Sequence, residues 1–168
     1  STVVARASNP LSRKVSAAAS AFSWLRSARI TARPFTVPRG VQASALPMVV
    51  MPHGGPFGVF DMWGFDRDAQ VLAAAGYAVL QVNFRGSGNY GRAFRAAGAR
   101  GWGGVMQDDV TDATKWAIAE GYADPKRICL YGASYGGYAV DWLIGHTNRF
   151  KAAVSHDEHH CIPACVTE

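Results

Sequence analysis

Between residues 46 and 155 the chain alternates short apolar runs with stretches of helical period. Leu46–Pro52 (LPMVVMP), Tyr77–Phe84 (YAVLQVNF), Ile128–Tyr131 and Phe150–Ser155 (FKAAVS) are the apolar runs. Their length and their Gly or Pro boundaries predict strands buried on both faces. Phe65–Ala75 has the apolar spacing of a helix and stops at Gly76. Asp108–Glu120 places acids in its first turn and Gly121 just past its end, and Ser134–Gly145 continues in the same period. Both patterns predict helices, since acids suit a helix N-terminus and glycine its end. Gly86–Gly104 is rich in glycine and arginine and reads as a loop. Strands alternating with helices imply βα units and an α/β fold with a mostly parallel sheet flanked by helices.

Charge adds an N-terminal feature to this picture. The 168 residues hold 17 Lys plus Arg and 12 Asp plus Glu, a formal charge of +5. Residues 1–45 contribute seven basic residues and no acid, so residues 46–168 contribute ten basic and twelve acidic, a net of −2. The basic excess therefore belongs to an Arg/Ser/Ala-rich arm, residues 1–45, and not to the body. Within it Val15, Ala18, Phe22 and Leu25 fall at helical spacing. The arm reads as a poorly ordered extension, with a targeting segment or interfacial anchor as alternatives. A nucleic-acid partner is not expected, because the body itself is mildly acidic. No run approaches 18 apolar residues, so no membrane span is expected. Three cysteines are too few for a secreted disulfide framework, which favours a reducing, cytoplasmic location.

Candidate chemistry gathers at two short motifs. Gly132-Ala133-Ser134-Tyr135-Gly136 is G-x-S-x-G between a predicted strand and a predicted helix. That is the context of a nucleophile elbow, in which small residues let the chain turn sharply and project the serine from the top of the sheet. His53-Gly54-Gly55-Pro56 follows the first predicted strand. A glycine-rich loop there can offer one backbone N–H to a developing oxyanion, the other coming from Tyr135, the residue after the serine. An ordinary turn would account for His53–Pro56 equally well, and His53 fits a turn histidine as readily as a catalytic one. Neither G-x-G-x-x-G nor a phosphate-loop G-K-[ST] occurs, so no cofactor is expected.

Several longer stretches occur in a familiar order: HGGP, NFRGSGNYGRAF (Asn83–Phe94), WGG (Trp102–Gly104), DDVTDATKW (Asp108–Trp116), ADPKRI (Ala123–Ile128) and GASYGGY (Gly132–Tyr138). Together they resemble the catalytic domain of the prolyl oligopeptidase family of serine peptidases, in particular its acylaminoacyl-peptidase and dipeptidyl-peptidase-like branch. The resemblance runs from about Leu46 to about Asp157, two-thirds of the chain. It implies an α/β-hydrolase fold, Ser134 as nucleophile, and an oxyanion hole from Gly55 and Tyr135. It also implies a partial version of that fold, truncated at both ends, with the final strands missing. The family's triad Asp and His lie farther beyond the serine than the 34 residues that follow Ser134 here.

The tail, residues 158–168, and the residues just before it offer surrogates. His156-Asp157-Glu158-His159-His160 follows the last predicted strand, whose C-terminal end should share the sheet edge with Ser134. His156, His159 or His160 could supply the base and Asp157 or Glu158 could orient it, because triads are defined by geometry and not by chain order. Cys161 and Cys165 stand nearby, but the spacing matches no metal motif and no metal is expected. The expected activity is a serine hydrolase cleaving small esters or peptides through an acyl-enzyme at Ser134. The alternative is a catalytically impaired relative that acts by association. The Phe150–Ser155 strand, left at an open edge, leads to the expectation of a homo-oligomer.

Overall fold

The computed structural model describes residues 3–4 and 34–156. Six strands form one sheet: β1 (Val3–Val4), β2 (Phe35–Val37), β3 (Leu46–Pro52), β4 (Ala78–Val82), β5 (Ala123–Ala133) and β6 (Ala152–His156). Four described helices accompany them: α1 (Arg67–Ala74), α2 (Arg92–Ala96), α3 (Val105–Ala119) and α4 (Tyr135–His146). The strand order is β1-β2-β4-β3-β5-β6. The pairs β3–β4, β3–β5 and β5–β6 are parallel, whereas β1–β2 and β2–β4 are antiparallel. Each strand and helix expected between residues 46 and 155 is present, and the sheet is mostly parallel, while the helical spacing of Val15, Ala18, Phe22 and Leu25 lies outside the described residues.

Alternation along the central strands divides the core. Met48, Val50, Leu80, Val82, Ile128 and Leu130 pack with Met106, Val110, Ala113 and Ala117 of α3 and Val140 and Leu143 of α4. The intervening Val49 and Val79 are buried as well, as are Ala69 and Ala73 of α1, the helix that packs on β2 and β4. Two covered faces explain why these strands read as unbroken apolar runs.

Some elements differ from the sequence expectation for local reasons. Phe35–Val37 was not legible as a strand because three residues carry no period; it is buried and pairs antiparallel with β4. β5 begins at Ala123, five residues before the expected Ile128, with Leu46 opposite Ala123 and Met48 opposite Ile128. The excess residues loop outward as a bulge, closed by Asp124. Its Oδ1 accepts the Lys126 N–H at 2.9 Å, and its Oδ2 accepts from Arg127 Nε at 2.8 Å. α1 starts at Arg67 and not Phe65, because the Asp66 carboxylate caps it by accepting the Ala69 N–H at 2.8 Å. α2 lies inside the stretch expected to be loop.

Register brings three strand ends level. Pro52 of β3 stands beside Val82 of β4, and Val50 pairs with Leu130 of β5, so residues 53 and 83 leave the sheet level with Ala133, the last residue of β5. Parallel α/β sheets present their sites at this carboxyl edge.

Candidate active site

The elbow is shaped by close backbone approach. A Cβ on Gly132 would run into the Gly136 carbonyl oxygen, and one on Gly136 into the Pro52 carbonyl oxygen. Only glycine lets α4 start directly over β5 while resting on the end of β3. The turn leaves Ser134 at φ 55° and ψ −125°, a left-handed conformation that a residue with a Cβ adopts only under constraint. Its side chain is exposed, and its own N–H donates to the His156 carbonyl at 3.0 Å. That bond ties β6 to the elbow and removes the Ser134 N–H from other use. The Tyr135 N–H, in the first turn of α4, has no intrahelical partner.

The Tyr135 side chain is buried. Its hydroxyl accepts from Gln107 Nε2 at 2.9 Å, and its ring packs against Phe84, Trp102 and Tyr138. Burial pushes its pKa well up, so the phenol stays neutral. The residue after the serine is thus anchored by its ring.

Opposite stands the His53–Pro56 loop. A Cβ on Gly54 would lie 3.3 Å from the Ala133 carbonyl oxygen, 3.4 Å from Ser134 Cβ and 3.9 Å from Ser134 Oγ. The loop backbone therefore flanks the serine directly. Gly55 has φ +117°, open to glycine and strained for other residues, and the Gly55–Pro56 peptide is cis. His53 is buried with its ring stacked on Phe84, centroids 4.3 Å apart. Its Nδ1 lies 2.7 Å from the Gly54 carbonyl oxygen and its Nε2 lies 2.8 Å from Ser87 Oγ. Burial lowers its pKa and keeps the imidazole neutral, against a smaller opposing effect of the Gly54 bond.

Buried polar side chains brace the segments beside this loop. Asn83, 1% exposed, accepts the Asp61 N–H at 2.8 Å and donates to the Asp61 carbonyl at 2.9 Å and to the Tyr90 hydroxyl at 2.8 Å. Asp61 is itself largely buried, and burial together with the nearby Asp66 raises its pKa from 3.8 to about 7. Arg85 forms a forked pair with the buried Asp109, Nη2 to Oδ1 2.7 Å and Nε to Oδ2 2.9 Å, while the Arg85 N–H donates to the same carboxylate at 2.8 Å. This fixes the segment after β4 to α3. Outside these braces the rim is apolar, with Phe57, Val59, Met62, Trp63 and Phe65 exposed.

Of the residues singled out by sequence, Ser134 and Tyr135 stand at the carboxyl edge, where Gly54, the residue before Gly55, flanks the serine. His156 joins them through its backbone carbonyl, while its exposed ring lies edge-on to Tyr131 with centroids 5.8 Å apart. Asp157 and His159 lie outside the described residues. Among the described residues no group of three or more His, Cys, Asp or Glu is placed to hold a metal, and no helix is long and apolar enough to cross a membrane. Ser87, Asn83 and Asp109 escaped the sequence reading as site supports. Their partners lie 34, 22 and 24 residues away, beyond the reach of any local pattern.

Residues 63–160 match the profile of the prolyl oligopeptidase family. The chain belongs to that family. Among curated proteins it is 46% identical over 110 residues to an uncharacterized peptidase, YuxL, of Bacillus subtilis, covering 65% of this chain and 17% of that one. It is 42% identical over 112 residues to dipeptidyl aminopeptidase BIII of Pseudoxanthomonas mexicana, covering 62% and 16%. The chain thus spans about a sixth of the length of these relatives. Among solved structures it resembles a puromycin-hydrolyzing peptidase of Mycobacterium tuberculosis, with a TM-score of 0.66 and 34% identity over 73% of this chain and 19% of that chain. The acylaminoacyl peptidase of Pyrococcus horikoshii gives a TM-score of 0.64 and 31% identity over 73% of this chain and 20% of that chain. The fold is that of the α/β-hydrolase peptidases.

Proposed function

We propose that this prolyl oligopeptidase-family chain carries the nucleophile and oxyanion hole of a serine hydrolase that cleaves peptide or small ester bonds. Ser134 attacks the carbonyl carbon, and the N–H groups of Gly55 and Tyr135 stabilise the oxyanion. The leaving group departs to give an acyl-enzyme, which water then hydrolyses. The observation that carries this reading is the left-handed Ser134 between β5 and α4, with the Gly54 backbone against its side chain. The relatives named as peptidases support hydrolysis of an amide, and the exposure of Ser134 supports access by small esters.

The base is assigned to the segment from 156 onward, with His156 first because its backbone already bonds to Ser134, and with His159 oriented by Asp157 as the alternative. The test is labelling with a fluorophosphonate together with turnover of a short-chain aryl ester, with Ser134→Ala as control. Ser134-dependent labelling and turnover are expected. Full turnover in His156→Ala and in His159→Ala would remove both from the role of base. Absence of any Ser134-dependent adduct would leave the reading of a chain that acts by association, for which the exposed strand β6, paired on one side with β5, is the favouring observation.

A further inference from the structure

We propose that Asp61 is an anionic subsite that receives the cationic head of a basic side chain, lysine or arginine, of a peptide substrate. Its place beside a substrate rests on the reading of Ser134 as the nucleophile. Asp61 lies on the loop between β3 and α1, and that loop forms a wall of the site. A Cβ on Gly55 would lie 2.9 Å from Val59 Cγ2, so Val59 covers the glycine next to the one that flanks Ser134. Two backbone bonds close the same loop onto the segment after β4. The Gly58 N–H donates to the Gly86 carbonyl at 3.1 Å, and the Gly88 N–H donates to the Val59 carbonyl at 2.9 Å. Asn83 then holds Asp61 itself, accepting its N–H and donating to its carbonyl with one amide side chain. The backbone of Asp61 is thereby paired at both its groups, as a strand partner would pair it.

The carboxylate is treated differently from the backbone. It is largely buried, yet among the described residues it accepts no hydrogen bond and joins no ion pair. Arg67, beside Asp66, pairs with Asp68, and the Arg95 guanidinium lies against Gly58 with no ion pair to Asp61. The titratable groups that act on Asp61 are Asp66, at the start of α1, and Tyr90, joined to it through Asn83. The first adds negative charge, and the second is a phenol that burial keeps neutral. An ionised carboxylate buried without a partner is costly, and burial, with Asp66 next, accordingly raises its pKa to about 7. A cation brought against it offsets that cost. A metal ion is a poor match, because metals take several such ligands and no group of three or more His, Cys, Asp or Glu is placed to hold one among the described residues. The surroundings suit an organic cation. Met62, Trp63 and Phe65 follow Asp61 in the loop with exposed apolar side chains. Lysine and arginine lay their methylene stems on apolar surface and present the head to a charge, and aromatic faces attract that head.

The test compares kcat/KM for aryl esters of N-acetyl-lysine, N-acetyl-arginine and N-acetyl-norleucine, which carry similar stems and differ in the head. Acetylation leaves the side chain as the one cation. A basic ester is expected to exceed norleucine by about tenfold at about pH 8, the worth of one charge-assisted hydrogen bond. The ratio should fall toward one as pH drops through about 7, where Asp61 takes up a proton, while titration of the catalytic groups cancels in it. In Asp61→Asn the ratio should stay near one at every pH. A ratio near one in the unsubstituted protein at about pH 8, or a preference that survives in Asp61→Asn, overturns the proposal. The Asp61 carboxyl carbon, followed by 13C NMR with Asp61→Asn for assignment, decides without turnover. Saturating N-acetyl-lysine amide or N-acetyl-arginine amide should lower its pKa by about one pH unit, the reciprocal of a tenfold preference for the ionised form, and N-acetyl-norleucine amide should not. An equal fall with potassium chloride alone would mean screening of Asp66 and defeats the proposal, as does no fall at all. If the unsubstituted protein shows no Ser134-dependent turnover, the nucleophile reading fails, while the carboxyl titration still decides whether Asp61 binds a basic side chain.

Discussion

On one side of Ser134 the chain is held by what glycines lack, and on the other by what buried side chains donate. Gly132 and Gly136 create the elbow because no side chain intervenes between β5, α4 and the end of β3. The facing loop has glycines too, but those leave it free to turn, and it is tied through His53 to Ser87, whose segment is held in turn by Asn83 and the Arg85–Asp109 pair. The elbow is a steric construction of five residues resting on the end of β3. The loop is a hydrogen-bonded one assembled from three separate segments. A steric wall should fail abruptly when filled, and a bonded wall should loosen by increments as single bonds are lost.

The largest effect is expected at Gly136. An added methyl meets the Pro52 carbonyl, part of a strand that cannot give, so Gly136→Ala should cost more than about 3 kcal/mol and yield little folded protein. Gly145→Ala supplies the contrast within α4, where nothing lies within 4 Å of the added carbon. It should stabilise by about 0.5–1 kcal/mol, the helix preference for Ala over Gly. Urea titration of both measures the difference. Equal behaviour would mean that the elbow is not set by steric approach.

Next comes the bonded wall. Asp109 is 4% exposed and takes three donors from Arg85. Asp109→Ala leaves the guanidinium with solvent and the Val105 carbonyl alone and should cost about 1.5–3 kcal/mol, whereas Asp109→Asn, which keeps an acceptor for the Arg85 N–H, should cost less. If Asp109→Ala costs under about 1 kcal/mol by urea titration, the segment after β4 is held by something else.

These two walls also differ in how far they could be read in advance. Gly132, Ser134 and Gly136 sit in one motif between a strand run and a helical period, so elbow, strand and helix were legible together. So was the position of the His53–Pro56 loop after β3. What supports that loop was not legible, because Asn83 bonds to Asp61 and Ser87 to His53 only once β3 and β4 lie side by side. Asp109 looked like an ordinary helix-start acid, since its partner Arg85 lies in a different segment. β2 was hidden for another reason: three residues are too few to show a period.

The braces predict a pH dependence that the elbow does not share. Burial and then Asp66 raise the Asp61 pKa from 3.8 to about 7. A carboxyl held more strongly protonated in the fold than in the unfolded chain costs nothing below about pH 4 and progressively more as pH rises to about 7, because folding then opposes ionisation. Asp61→Asn should therefore match the parent at pH 4 and exceed it by roughly 2–3 kcal/mol at pH 8, after discounting about 1.4 kcal/mol per unit for partial exposure. Chemical denaturation at the two pH values measures this, and a constant difference across the range would rule out titration of Asp61 as its source.

The smallest effect isolates the strain at the serine itself. Ser134 holds φ 55° with a Cβ present, which costs about 1–3 kcal/mol in such a region. Its side chain is exposed, so Ser134→Ala keeps the Cβ, loses little, and should change stability by less than about 0.5 kcal/mol. Ser134→Gly removes the Cβ and relieves the strain, but it loosens the unfolded chain at a cost of about 0.5–1 kcal/mol. The net expectation is a Gly variant more stable than the Ala variant by about 1 kcal/mol, a difference to which the hydroxyl contributes nothing. A Gly variant no more stable than Ala would mean that the turn is relaxed. The steric wall would then impose no strain on the residue it displays, and the contrast with the hydrogen-bonded loop would reduce to Gly132 and Gly136 alone.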